Sequence, residues 1–353
     1  MKPHLPLILA GGLLAVQAQA QAPARAQAPA QAPAQAPAEG QAFQTPAILI
    51  EKDQPRFRRI WLLAANKTQF AYRETPQAMD IKQDRHMNHG GLYILESKDV
   101  KAAFDLYEGR KYKEAREAFA KIKTRFKPVD KLDNNPSTIA AFYEMECMRH
   151  MEDLEALNTA MSTFLREPLT SESQLRQLEL YVLWDALRTK SWDRLDILCR
   201  ERQEVKLPPE QRAQIGYLHG LALEGLKKPM EALNAYQVAI TADVGASEVL
   251  TRKSAIRILE ILKADEEVQH AIRVWETEDE KKGSRGYNLL REAGAMAVLY
   301  EMSLGGGERL ASSLKSFAKY APEVLSVGAE APKEDPEEAA EEDEKEADKE
   351  AEG

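Results

Sequence analysis

Residues Pro209–Asp243 read PEQRAQIGYLHGLALEGLKKPMEALNAYQVAITAD. Small and apolar residues recur there at helical spacing on both sides of a short turn, which predicts two amphipathic helices. Gly220 and Leu223 fall on one face of the first helix, and Ala232, Tyr236 and Ala239 on one face of the second. Small residues at Gly220 and Ala232 let the two backbones approach closely, and Tyr236 fills the space beside them.

Working outward, the same pattern recurs more loosely. Lys98–Glu108 with Tyr112–Arg125 forms a hairpin in which Gly109 ends the first helix and Lys127-Pro128 stops the second. Thr138–Arg149 pairs with Asp153–Leu165, and Ser173–Arg188 with Trp192–Gln203. Beyond the quoted hairpin, Ser247–Leu262 pairs with Glu266–Glu276, and Gly286–Met302 with Glu308–Tyr320. Aligning Ala115, Leu157, Leu195, Ala232, Val268 and Leu310 gives steps of 42, 38, 37, 36 and 42 residues.

The small, large, small, aromatic order at Gly220, Leu223, Ala232, Tyr236 and Ala239 resembles the tetratricopeptide repeat (TPR), a helix–turn–helix unit of about 34 residues that stacks into a solenoid. Gly216 stands where that family often has tryptophan, and Leu or Val replaces the small residue in four of the six aligned positions. The resemblance covers about residues 98–322 and implies a TPR-like α-solenoid of about six helical hairpins. Together with an export signal and a small β segment, the chain also looks like secreted TPR proteins of verrucomicrobial bacteria.

The N-terminus reads as that signal. Lys2 and His4 precede an apolar run from Leu5 to Val16, and Ala18-Gln19-Ala20 supplies a small-x-small cleavage pattern. Residues 1–20 are therefore expected to be a signal peptide and the protein to be periplasmic or secreted. No later run approaches the ~20 apolar residues of a transmembrane helix. Residues 21–45, built on Gln-Ala-Pro-Ala, read as a disordered linker, with no apolar side chain larger than Ala available to pack over 21–41. Residues 46–97 change character: Ala47–Glu51, Arg58–Ala64, Gln69–Arg73, Met79–Ile81 and Leu92–Leu95 predict strands of a small β-sheet or mini-barrel. So short a unit makes a marginal core alone and is expected to dock on the first helices. The helical domain runs over 98–328.

The net charge of −9 is misleading as a global figure, because residues 330–353 hold thirteen acidic and three basic side chains. This segment, within 329–353, reads as an acidic disordered tail, and the body is nearly neutral. No basic patch with interleaved aromatics points to nucleic acid.

His86 and His89 in RHMNHGG lack the zincin spacing, and the Gly pair argues for a polar loop rather than a metal site. Cys147 and Cys199 read as buried thiols, with one disulfide as the alternative. No nucleophile elbow is present, and Gly305-Gly306-Gly307-Glu308 lacks the lysine of a phosphate loop. No catalytic residue, metal ligand or cofactor is assigned, and the chain is expected not to be an enzyme.

In a TPR-like stack the first helix of each unit lines a concave surface. The resemblance thereby implies a partner-binding groove of Phe142, Glu146, Arg149, Trp184, Arg188, Tyr217, Glu224, Lys253 and Arg257. The alternative for Phe142, Trp184 and Tyr217 is packing between units. Lys253 and Arg257 alone do not reproduce the paired residues of a carboxylate clamp. The expectation is an exported, noncatalytic scaffold that mediates protein–protein interaction, for instance in an envelope complex. The alternatives are a glycan or cell-wall polymer binding module using Arg59, Trp61, Phe70 and Tyr72, and an unrecognised hydrolase using His86 and His89.

Overall fold

A computed structural model describes residues 43–52, 56–242 and 248–322. The signal-peptide, most of the linker and the acidic-tail expectations lie outside the described residues. Five strands come first: β1 (Thr45–Glu51), β2 (Phe57–Ala65), β3 (Gln69–Arg73), β4 (Lys82–Arg85) and β5 (His89–Ile94). Helices follow in pairs: α1 (Lys98–Glu108) and α2 (Tyr112–Arg125), α3 (Pro136–His150) and α4 (Leu154–Thr163), α5 (Glu172–Arg188) and α6 (Trp192–Gln203). Then come α7 (Pro209–Gly225) and α8 (Pro229–Ala242), α9 (Glu248–Ala264) and α10 (Glu266–Arg273), and finally α11 (Arg285–Leu299) and the short α12 (Ser312–Lys315). The protein is mainly helical, with a small antiparallel sheet ahead of the helices. Among the described residues, no helix is long and apolar enough to cross a membrane.

The sheet has the order β4-β3-β2-β1-β5, every pair antiparallel. Its edge strands β4 and β5 are consecutive, joined only by the 3-10 turn His86–Asn88. Three residues span roughly 13 Å at most, whereas four strand steps in a flat sheet cover about 19 Å. The sheet must therefore curl until its edges converge, and Asp84 Oδ2 and His89 Nε2 meet at 2.8 Å across the gap.

Two expectations about this unit are corrected. The fourth strand is Lys82–Arg85, not Met79–Ile81, and Met79 is 92% exposed. KQDR escapes an apolar pattern because none of its residues is buried: exposed Lys82 pairs with Glu74 at 2.7 Å, and half-buried Asp84 bonds His89. Gly90 and Gly91 belong to β5 rather than to a loop.

The sheet does dock on the first helices. Ala47, Leu49, Ile60, Leu62 and Phe70 share one core with Ala103, Phe119, Ile122, Phe126 and Ala140 from α1–α3 and their connections. A second core runs from Met145 to Tyr320. Successive helices pack on each other, and α5, α7, α9 and α11 also touch in series.

Local chemistry explains the helix ends. Ser97, Asn135, Asp153, Asp265 and Ser284 cap helices by accepting from backbone N–H groups of the first turn. Pro136, Pro209 and Pro229 occupy first-turn positions, where no N–H is needed. Four turns share one construction. Arg110, Glu152, Lys190 and Lys227 each have φ between 51° and 61°. In each, the next residue's N–H donates to a carbonyl five residues back: Lys111 to Leu106, Asp153 to Met148, Ser191 to Ala186 and Lys228 to Leu223. The last pair departs from expectation. After α11 the chain makes a π turn over Tyr300–Leu304, and Glu308–Tyr320 yields only α12 and a 3-10 turn.

The quoted hairpin has the intimate contact its small residues imply. A Cβ added at Gly220 would lie 2.4 Å from the Tyr236 ring, and one at Gly216 would lie 2.7 Å from the Ala239 nitrogen.

Candidate functional site

The nine groove residues all lie on α3, α5, α7 and α9, the first helices of their pairs. The structure does not present them as an open surface. Phe142, Glu146, Arg149, Trp184 and Tyr217 are buried, so they lie inside the molecule rather than on a face open to a partner. Arg188, Glu224, Lys253 and Arg257 are half-buried and engaged within the chain. Arg188 bonds Asp185 at 2.8 Å and Glu155 at 3.2 Å. Lys253 reaches Glu152 at 2.7 Å. Arg257 donates from Nε to Glu224 at 2.9 Å and from Nη1 to Glu260 at 2.6 Å, and Tyr236 donates to the same Glu224 carboxylate.

The centre of this seam is a buried ion pair. Arg149 forks onto Glu146, Nε to Oε1 at 2.9 Å and Nη2 to Oε2 at 2.6 Å. Tyr181 donates to Glu146 Oε1 at 2.6 Å. Burial opposes the Glu146 charge, but the Arg149 guanidinium and these hydrogen bonds outweigh it, so the carboxyl lies below the usual range. Arg149 Nη2 and Tyr107 Oη lie 2.9 Å and 3.2 Å from His150 Nε2. A guanidinium can only donate, so Nε2 carries the lone pair and the imidazole is neutral. Burial, reinforced by the Arg149 charge, pushes the His150 pKa down to about 3. His150 also stacks on Tyr112 at 4.3 Å. Next along, Gln177 and Gln214 exchange reciprocal amide bonds at 3.0 Å, and Trp184 Nε1 donates to Gln214 at 3.2 Å.

Sequence reasoning missed Tyr181, His150, Gln177 and Gln214. One signal was available: Gln177 and Gln214 are 37 residues apart, the same step that separates Leu195 from Ala232.

Glu146, His150 and Glu210 offer ligand atoms within 4.8 Å of one another. Arg149 Nη2 already faces all three, at 2.6 Å from Glu146, 2.9 Å from His150 and 3.6 Å from Glu210. The cation of this cluster is the guanidinium, and a metal ion there would meet a fixed positive charge. His86 and His89 are turned to separate tasks: His86 Nε2 meets Asn66 O at 2.8 Å, His89 bonds Asp84, and both rings pack on Phe70. Cys147 and Cys199 are free and buried in different cores. Burial, with Glu146 and Glu144 nearby, pushes the Cys147 thiol up to about 12.

Two open features lie on the β unit. A cleft of about 830 Å³ lies between β5 and α1–α3. Its walls include Val100, Phe104, Phe119, Ile122, Phe126 and Ile139, and Lys67 and Lys131 stand at its rim. The chain from Leu92 to Ser97 forms one side. Leu95 N–H donates to Pro46 O at 2.9 Å. The alternation of an antiparallel ladder then turns the amides of Ile94 and Leu92 away from β1, onto the free edge of β5. The second feature is the outward face of the sheet, where Trp61 is half-buried beneath Arg59. Phe70 and Tyr72, grouped with Trp61 in the polymer-binding alternative, are instead buried in the core at 1% and 4% exposure.

Comparison with protein-family models, with curated proteins and with solved structures gives no match for this chain.

Proposed function

We propose that the chain is an exported, noncatalytic TPR-like scaffold for protein–protein interaction, and that its partner enters the cleft beside β5 as an extended peptide. The observation that carries this reading is the coincidence of a free strand edge and an apolar cavity. Leu92 and Ile94 offer backbone donors and acceptors along one side, and the partly exposed Val100, Phe104 and Ile139 offer apolar surface on the other. A peptide added as a strand uses its backbone for affinity and alternate side chains for pockets. The volume is within the range of specific ligand sites. The recurrent left-handed turns and the equal steps of Gln177–Gln214 and Leu195–Ala232 support a repeat array behind it, whose seam is spent on holding the helices together.

The test is affinity capture from envelope extract of the source cell, with the full chain and two variants as baits. Ile139→Glu places a charge in the cleft wall, and Arg188→Ala with Lys253→Ala alters the seam. A protein retained by the parent and seam baits but lost from Ile139→Glu supports the reading, provided the variant melts like the parent. Equal retention on all three baits places the partner elsewhere. Glycan fragments retained without protein favour the polymer-binding alternative.

A further inference from the structure

The outward face of the sheet combines aromatic rings and cations in a way the cleft does not use. The strand register puts Ile48 between Arg59 and Tyr93, and Trp61 opposite Arg73. Phe57 and Tyr93 are 71% and 58% exposed. The Tyr93 ring lies over Gly91, where a Cβ would come within 2.8 Å of it, so the glycine lets the ring lie flat on the sheet. Arg59 sits 5.7 Å from the Trp61 ring centroid. Arg73 Nε is buried with no acceptor among the described residues. No Asp or Glu occupies the outward positions of β1, β2, β3 or β5 in this register.

Charge is segregated along the chain in the same sense. Residues 43–97, which carry the sheet, hold eight basic and six acidic side chains, a net +2, and residues 98–131 eleven and six, a net +5. Residues 132–322 hold twenty-four and thirty, a net −6, and residues 330–353 three and thirteen, a net −10. The strongest acidic stretch is therefore at the opposite end of the sequence from the net-positive N-terminal part, whose outward sheet face carries Arg59 and Arg73 and no Asp or Glu. We propose that the acidic segment 330–353 docks in cis on the outward sheet face, with carboxylates on Arg59 and Arg73 and alanine and proline side chains against Trp61 and Tyr93. Thirty-one residues follow Pro322. The last of them reaches up to about 100 Å from Pro322 and the first residue of the segment, Glu330, about 25 Å, against a radius of gyration of roughly 19 Å for a compact chain of the described length. Tethering supplies an effective concentration of order millimolar, so individually weak, salt-screened pairs suffice. The docked segment covers the face an external polyanion would need.

The test reads indole N–H resonances of the labelled full chain. Four tryptophans give four signals, and Trp61→Phe assigns the relevant one. At low salt, ending the chain at Ala329 shifts the Trp61 signal and leaves that of the buried Trp184 in place, and about 0.5 M salt in the full chain reproduces the shift. In an Arg59→Glu, Arg73→Glu background the difference between full and shortened chains vanishes. Peptide 330–353 binds the shortened chain at least tenfold more tightly than the full chain. Identical Trp61 signals in full and shortened chains, a difference that survives the double charge reversal, or a shift that grows with protein concentration each overturns the proposal.

Discussion

Arg110, Glu152, Lys190 and Lys227 hold the left-handed conformation that glycine adopts without cost. Each sits just after the first helix of its pair, where the turn needs positive φ and a backbone N–H, and a Cβ is tolerated at a penalty. Lys227→Gly and Lys190→Gly are therefore expected to stabilise the protein, each by about 0.5–1 kcal/mol, read as a higher urea midpoint at unchanged slope. The opposite is expected at the helix contact. Gly220→Ala forces a methyl into the Tyr236 ring, and Gly216→Ala forces one into the Ala239 backbone. Overpacking of this kind costs about 1–3 kcal/mol. Gly216→Ala is the costlier of the two because backbone gives way less readily than a ring, and comparative denaturation of the two variants checks the order.

At the scale of elements, α3, α5 and α7 are joined by polar side chains in a place where apolar ones would be ordinary. Removing one member of the Glu146–Arg149 pair leaves a buried charge unmatched. Arg149→Ala is expected to cost about 3–5 kcal/mol, and adding Glu146→Leu to recover much of it. Thermal or urea unfolding of the single and double variants measures the difference. The same cluster sets a pH dependence. Free histidine protonates near 6.5, whereas folded His150 is held down at about 3, so the unfolded chain binds the proton first as pH falls. Its contribution is present above pH 6.5 and is lost progressively toward pH 3. Glu146, also lowered, acts in the same direction below the ordinary carboxylate range. Unfolding free energy should therefore decline between pH 7 and pH 4, and His150→Phe, which keeps an aromatic ring against Tyr112, should flatten the upper part of that decline.

Over the whole molecule, two cores meet at α3, which gives Ala140 and Cys147 to one and Met145 and Met148 to the other. The sheet is thus part of the fold of α1–α3. Phe70→Ala is expected to cost about 3–5 kcal/mol. By native-state hydrogen exchange it should speed the amides of α1–α3 well before those of α7–α9. Equal acceleration throughout would mean that the two cores unfold as one. The cleft and the charged sheet face both lie on the N-terminal core, and the second core contributes the long run of helices beyond it.

Much of this was legible in the residues. The helical period and the prolines placed most helix pairs within a few residues, because those signals are local. The contact of Gly220 with Tyr236 was legible for the same reason: both lie within one hairpin. β4 was not legible, since it buries no apolar side chain and is held by Lys82 to Glu74 and Asp84 to His89, which an apolar count does not see. The nine groove residues lie on the first helices of their pairs, but five of them are buried, as the packing alternative for Phe142, Trp184 and Tyr217 expects. Periodicity gives the face of a helix, but whether that face meets solvent depends on how tightly the neighbouring helix approaches. That approach is decided by pairs such as Lys253 with Glu152, Tyr181 with Glu146 and Arg149 with Glu210, which are far apart in the chain. The sequence by itself determined helices, turns, the separate β segment and the segregation of charge. Only the tertiary structure decided that the inner seam is closed and that the cleft is open, because burial is a property of distant side chains brought together rather than of any one stretch.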